Sequence, residues 1–183
     1  MKKIYIWEKT LQFKENFEEV DCMDIKTSDE LQSIVKALQL MVEIELAMEE
    51  FYNTCAYTWK EDAEFWSSIA DEEKKHAENI TRMKEILLNK PDRFEKNRLF
   101  NPAAIKTTID YIKDNTQKVR QGALKKDRAF FIARDIEQSL IEQKYSDVVK
   151  TDDFEYNSLI KETISQTLSH RNHFLKKIAE KKL

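Results

Sequence analysis

The sequence predicts an all-α fold: a four-helix bundle of two helical hairpins joined by a connecting helix. Three observations predict it. The 183 residues hold one glycine and two prolines, too few for the tight turns of a sandwich, a barrel or a doubly wound sheet. Apolar residues recur at three- and four-residue spacing over four long stretches, the period of a helix with one buried face. Start and stop signals fall between those stretches. At this length one domain with a sizeable core is the simplest organisation.

Residues 1–26 read as an N-terminal extension, and residues 27–183 as the bundle. In the extension Ile4, Ile6 and Trp7 suit an extended segment, whereas Phe13, Phe17 and Val20 suit a helical turn or two. Thr27-Ser28-Asp29-Glu30 forms a capping-box start, so the first helix is expected from about Ser28 to Tyr57. Its inward face reads Ile34, Leu38, Met41, Glu45, Met48, Tyr52, Cys55 and Trp59. The polar corner Lys60-Glu61-Asp62 leads into a second helix, ending near Leu88, with the face Phe65, Ile69, Glu73, His76, Ile80, Met83 and Leu87. Pro91 stops it.

Asn101 as cap and Pro102 at the first helical position predict a connecting helix over roughly 102–121, closed by Gly122. The third core helix is expected over about 125–150, its face Phe130, Ala133, Glu137, Leu140, Ile141, Lys144 and Val148. Asp152 with Glu155 is the expected cap of the fourth, over about 153–181. That face reads Leu159, Ile160, Ile164, Thr167, His170, Phe174, Leu175 and Ile178.

Composition narrows the function. A net charge of −3 with both signs mixed argues against a nucleic-acid partner. No run of about 20 apolar residues exists, so no membrane span is expected. The segment MKKIYIWEK lacks the apolar region of a signal peptide, and a cytoplasmic location is the expectation. Cys22 and Cys55 form no CxxC pair. They encode no rubredoxin-type knuckle and read as free thiols in a reducing compartment.

The chemistry lies in residues that break the apolar stripes. Glu45 stands mid-stripe on the first helix. Glu73 and His76, three apart, project together from the second. Glu137 does the same on the third helix and His170 on the fourth. The spacing repeats: 28 residues separate Glu45 from Glu73, and 30 separate Glu137 from Thr167, three before His170. The chain therefore reads as two hairpins of one plan. With roughly 14 residues on each side of its turn, a hairpin carries both marked positions at one height, about 20 Å from the corner.

A single glutamate on an apolar stripe is ordinarily salt-bridged, and a lone core histidine is ordinarily hydrogen-bonded. Together the five resist that reading. An isolated buried carboxylate costs several kcal/mol and takes up a proton instead, and three at one level repel. A pair of divalent cations removes the conflict, since carboxylates and imidazoles suit iron or manganese. An inward Glu plus Glu-x-x-His is how four-helix bundles hold two metals. The candidate ligands are Glu45, Glu73, His76, Glu137 and His170. His173 is the alternative ligand in a competing register, in which His170 replaces a glutamate.

On these residues the chain resembles the rubrerythrin-like branch of the ferritin-like superfamily. EIELAMEEFY carries Glu45 with Tyr52 seven later, and FWSSIADEEKKHAENI carries Glu73 and His76. NPAAI opens the connecting helix, and ARDIEQSLIEQKY carries Glu137. The likeness spans roughly residues 30–180, and its second half is looser.

The resemblance implies a ferritin-like bundle with a non-haem di-iron centre. Glu45 and His76 would hold one metal, Glu137 and His170 the other, and Glu73 would bridge them. Thr167 stands where the family has a second bridging glutamate, which implies weaker binding of the second metal. Lys144 and Arg171 are the residues whose charge can stand in for a missing cation. Tyr52 and Lys144 are candidates for the shell around the ligands, Tyr52 equally as a core aromatic.

The implied activity is an oxidoreductase reacting with peroxide or dioxygen at the metal centre itself. Its electron donor would be external, since no cysteine knuckle is encoded, and the assembly a homodimer. Manganese or zinc also suits the donors. Two further functions stay open: a non-catalytic ferritin-like protein for iron binding or storage, and a degenerate bundle acting as an interaction scaffold.

Overall fold

The computed structural model describes residues 21–97, 101–142 and 148–181. The chain divides into two compact units, residues 1–33 and 34–183, and every candidate ligand belongs to the second. The readings on Ile4, Ile6, Trp7, Phe13, Phe17, Val20 and Lys144 lie outside the described residues.

Helix α1 runs Asp21–Thr58, so the Thr27–Glu30 box lies inside the helix instead of opening it. An N-cap contributes about 1 kcal/mol, and Asp21–Lys26 contains no glycine or proline to interrupt the ladder before it. The predicted face is buried from Ile34 to Cys55, and Ala37, Ile44 and Phe51 widen it. Cys55 is a free, fully buried thiol that burial pushes well above its ordinary pKa.

A 3₁₀ turn over Lys60–Asp62 makes the corner into α2, Ala63–Asn89. Asp62 is itself buried and accepts from Lys181 Nζ at 2.9 Å, with Lys126 Nζ at 3.3 Å. That carboxylate ties the start of α2 to the start of the third core helix at Lys126 and the end of the fourth at Lys181. After the Pro91–Arg93 turn the chain is extended through β1, Phe94–Lys96.

Helix α3, Pro102–Arg120, starts where Asn101 Oδ1 accepts from the backbone N–H groups of Ala103 and Ala104 at 3.1 and 3.3 Å. Gly122 follows at φ +67°, a left-handed turn that favours glycine.

Helix α4 covers Lys126–Glu142, and the expected helix to Lys150 is corrected. Val149–Thr151 is a strand, β2, paired antiparallel with β1 in the register Phe94↔Thr151, Glu95↔Lys150, Lys96↔Val149. Val149 and Thr151 are β-branched and stiff at χ1, and Val148 and Val149 gain burial in this ribbon. Helix α5, Phe154–Glu180, is capped by Asp153, whose Oδ1 accepts from Tyr156 N–H at 3.1 Å. Asp152, the expected cap, instead pairs with Arg93 at 2.8 Å on the surface.

The buried stripe of α5 is Tyr156, Ile160, Thr163, Thr167, His170, Phe174 and Ile178, at steps of three and four. Leu175 falls off it and is exposed, while Leu159 and Ile164 are half-buried. An aromatic layer from four helices fills the core toward the hairpin corners. Phe51, Tyr52, Phe65, Trp66, Phe130 and Phe174 form it, with Trp66 to Phe130 at 4.6 Å and Tyr52 to Phe174 at 5.6 Å between ring centroids. Tyr52, Trp66 and Phe130 each lie seven residues, about 10 Å, from a stripe-breaking glutamate.

Candidate metal centre

The structure brings the five stripe-breaking residues together. Glu45 comes from α1, Glu73 and His76 from α2, Glu137 from α4 and His170 from α5, and none is more than 3% exposed. The one-turn offset of Glu73 and His76 projects both to one side of α2. Helices of two hairpins close around them because each stripe is apolar above and below its polar member.

Glu73 is the centre of the arrangement. Its Oε2 lies 2.9 Å from His76 Nδ1 and its Oε1 2.9 Å from His170 Nδ1. On the outer side of each ring stands one more carboxylate. Glu45 Oε2 is 3.7 Å from His76 Nδ1, and Glu137 Oε1 is 3.6 Å from His170 Nδ1. The two imidazoles stack with centroids 5.4 Å apart. The result is a near two-fold plan, Glu45–His76–Glu73–His170–Glu137.

The far nitrogens of both rings are fixed from outside. His76 Nε2–H donates to Gln166 Oε1 at 2.9 Å, and His170 Nε2–H donates to Glu72 Oε2 at 2.6 Å. With Nε2 committed outward, each Nδ1 faces the middle, the arrangement that would orient a metal-binding histidine once its Nδ1 proton is displaced. Tyr52 OH donates to Glu137 Oε1 at 2.9 Å. Burial, then the charge of Glu137, holds the phenol well above its ordinary pKa, so Tyr52 acts as a neutral donor.

Burial sets the electrostatics. It pushes Glu45 up to about 8, helped by the charge of Glu73, and Glu137 up to about 7 for the same reasons. Burial also raises Glu73, but its two imidazole neighbours outweigh it and hold that carboxyl well below the usual range. Burial alone would lower the imidazoles. Their carboxylate neighbours prevail and raise His76 to about 10 and His170 to about 11. Without a metal, protons on both rings therefore face the Glu73 carboxylate.

Protons do not satisfy the cluster. Among the described residues five buried side-chain atoms have no hydrogen-bond partner. Four are in this cluster: Glu45 Oε2, Glu73 Oε1, Glu137 Oε2 and His170 Nδ1. The fifth is Trp66 Nε1 in the aromatic layer. His170 Nδ1 and Glu73 Oε1 lie 2.9 Å apart as an ion pair without hydrogen-bond geometry. An unsatisfied buried polar atom costs about 1–3 kcal/mol, and a cation bound among these groups would remove that cost. Ligand atoms of Glu73, His76 and His170 all lie within 4.8 Å of one another. This buried group can hold a metal ion, and its mixed oxygen and nitrogen donors suit a divalent first-row metal.

Other expected participants are not in the cluster. Thr167 is buried, but its hydroxyl donates to Thr163 C=O at 2.9 Å on its own helix. Arg171 is half-buried and His173 is exposed. That places the alternative ligand His173 on the outer face of α5, and the reason is helical: three residues past His170 the stripe has passed to Phe174.

Glu72 and Gln166 were not anticipated. Both precede a cluster histidine by four residues, Glu72 before His76 and Gln166 before His170. The repeat between the hairpins thus extends to them, and each reaches the histidine of the other hairpin.

No protein-family model matches this chain, nor does any curated protein or solved structure. Among the described residues no helix is long and apolar enough to cross a membrane.

Proposed function

We propose that this chain is a rubrerythrin-like di-metal carboxylate protein: a ferritin-like four-helix bundle, binding two iron ions and acting as an oxidoreductase toward peroxide or dioxygen. The observation that carries the reading is the convergence of four orphaned buried ligand atoms from four helices. Glu45 and His76 would hold one ion, Glu137 and His170 the other, and the two oxygens of Glu73, each facing a different imidazole, would be shared. Such a pair, when bound, supplies Lewis acidity and, as iron, one-electron chemistry.

The chain's own part is positional. Gln166 and Glu72 hold the imidazole tautomers, Tyr52 steadies Glu137, and the aromatic layer keeps the site dry on the corner side. Electrons would come from an external donor, and a homodimer is the proposed assembly. Manganese or zinc suits the same donors. Iron storage without catalysis, or a metal-free interaction scaffold, are the outcomes that the binding experiment below discriminates.

One observation favours a second reading. Glu73, His76 and His170 by themselves form a compact three-ligand group, the two-histidine, one-carboxylate set of mononuclear non-haem iron sites. Anaerobic titration of metal-free protein with ferrous iron decides. Two ions per chain, followed by oxidation on adding peroxide, support the di-metal oxidoreductase. One ion, insensitive to Glu45→Gln and Glu137→Gln, supports the mononuclear site. Two ions without turnover support binding or storage, and no ion supports the scaffold.

A further inference from the structure

Resting on the di-metal reading, we propose that Glu72 is the fourth carboxylate of the centre. It is a positioning residue that acts through His170 and makes the Glu137–His170 half the tighter of the two. The charge count asks for it. Glu45, Glu73 and Glu137 supply three negative charges against the four positive charges of two divalent ions. Thr167 adds none, and its hydroxyl is committed to Thr163 C=O. Glu72 brings the count to four.

The geometry says where that charge acts. His170 Nε2 lies 2.6 Å from a carboxylate oxygen, whereas His76 Nε2 lies 2.9 Å from an amide oxygen. A charged acceptor shortens and strengthens the hydrogen bond. It also enriches the imidazole as a ligand, an effect of roughly 10- to 100-fold in metal affinity. Gln166 gives His76 the same orientation without the charge.

Two features reduce the difference without reversing it. Tyr52 draws electron density from Glu137, but as a neutral donor to one oxygen. The Glu72 side chain is 40% exposed, so solvent screens it, and about tenfold is the expected effect. This order opposes the one that Thr167 alone implies: the half lacking the bridging glutamate is the half that Glu72 supports.

The test is calorimetric titration of the metal-free full chain with Mn²⁺. The expected wild-type result is two steps, with His170→Ala abolishing the tighter and His76→Ala the weaker. Glu72→Gln keeps an acceptor for His170 and should weaken the tighter step about tenfold, leaving the other unchanged. Gln166→Glu is the gain-of-function partner and should tighten the weaker step by a similar factor, a result no general loss of folding produces. If the wild type binds two ions but Glu72→Gln moves neither step, or both equally, the role of Glu72 is overturned and the di-metal reading stands. Fewer than two ions in the wild type overturns both.

Discussion

His76 and His170 stack 5.4 Å apart although they come from different hairpins, and the Glu73 carboxylate reaches the Nδ1 of both. Two imidazolium rings in that position repel, and cations bound at Nδ1 must displace protons from them. Metal uptake at neutral pH is therefore expected to release protons, and affinity to rise with pH. The check is calorimetry of metal binding in buffers of different ionisation enthalpy. Heat independent of the buffer would mean that the metal goes elsewhere.

Replacing Glu73 removes the one group both halves share. Glu73→Ala should abolish most metal binding. It should also destabilise the metal-free fold by about 3–5 kcal/mol, the cost of leaving buried charge unpaired. Urea denaturation with and without chelator measures both. A variant that still binds two ions would remove Glu73 from the centre of the site.

Thr167→Glu places a carboxylate one turn before His170. The metal-free variant should be less stable than wild type, because it buries another acid. The metal-loaded variant should bind its ions more tightly. Melting curves with and without metal should therefore shift in opposite directions. Two downward shifts would show that residue 167 does not face the cations.

Tyr52→Phe keeps the ring in the aromatic layer and deletes one hydrogen bond. The expected cost is about 1–3 kcal/mol, since Glu137 Oε1 loses its 2.9 Å donor. Equilibrium denaturation reads it. An unchanged midpoint would show that the phenol hydroxyl is energetically idle.

The Asp62 clamp predicts a pH dependence. Burial raises this carboxyl, but the ammonium groups of Lys181 and Lys126 outweigh burial and hold its pKa below the ordinary value. A depressed folded pKa stabilises the protein above the unfolded value of about 3.9, and the contribution is lost as pH falls through the folded pKa. Asp62→Asn should thus cost about 2 kcal/mol at pH 7, with the gap to wild type closing in acid below pH 4. Stability curves that stay parallel to pH 2 would contradict the clamp.

The helical architecture and the five clustered residues were legible because each signal was one of period. A polar residue inside an apolar stripe has nowhere to go but inward, so Glu45, Glu73, His76, Glu137 and His170 can be placed from the sequence. Where period fails, so did the reading. Val148 and Val149 continue an apolar pattern equally well as helix or strand, and only their partner Phe94–Lys96 decides. Asp152 and Asp153 are equivalent caps in sequence. Arg93 pairs with both, and Lys90, 3.0 Å from Asp153, joins only the capping one. Glu72 and Gln166 sit on the flank of their helices, where a charged or amide residue ordinarily faces water. What draws them in is the far nitrogen of a histidine from the other hairpin, a relation that appears only once the helices are packed.

The partial exposure of Glu72 also brings the cluster close to solvent at one point. Phe, Tyr and Trp rings lie toward the hairpin corners from the cluster, and Leu38, Ile80 and Met83, one or two turns along their helices in the other direction, are buried as well. Glu72 and half-buried Gln166 lie along the α2–α5 seam, each one hydrogen bond from a cluster imidazole. The 40% exposed carboxylate of Glu72 therefore leaves the buried His170 ring a single hydrogen bond away from bulk solvent.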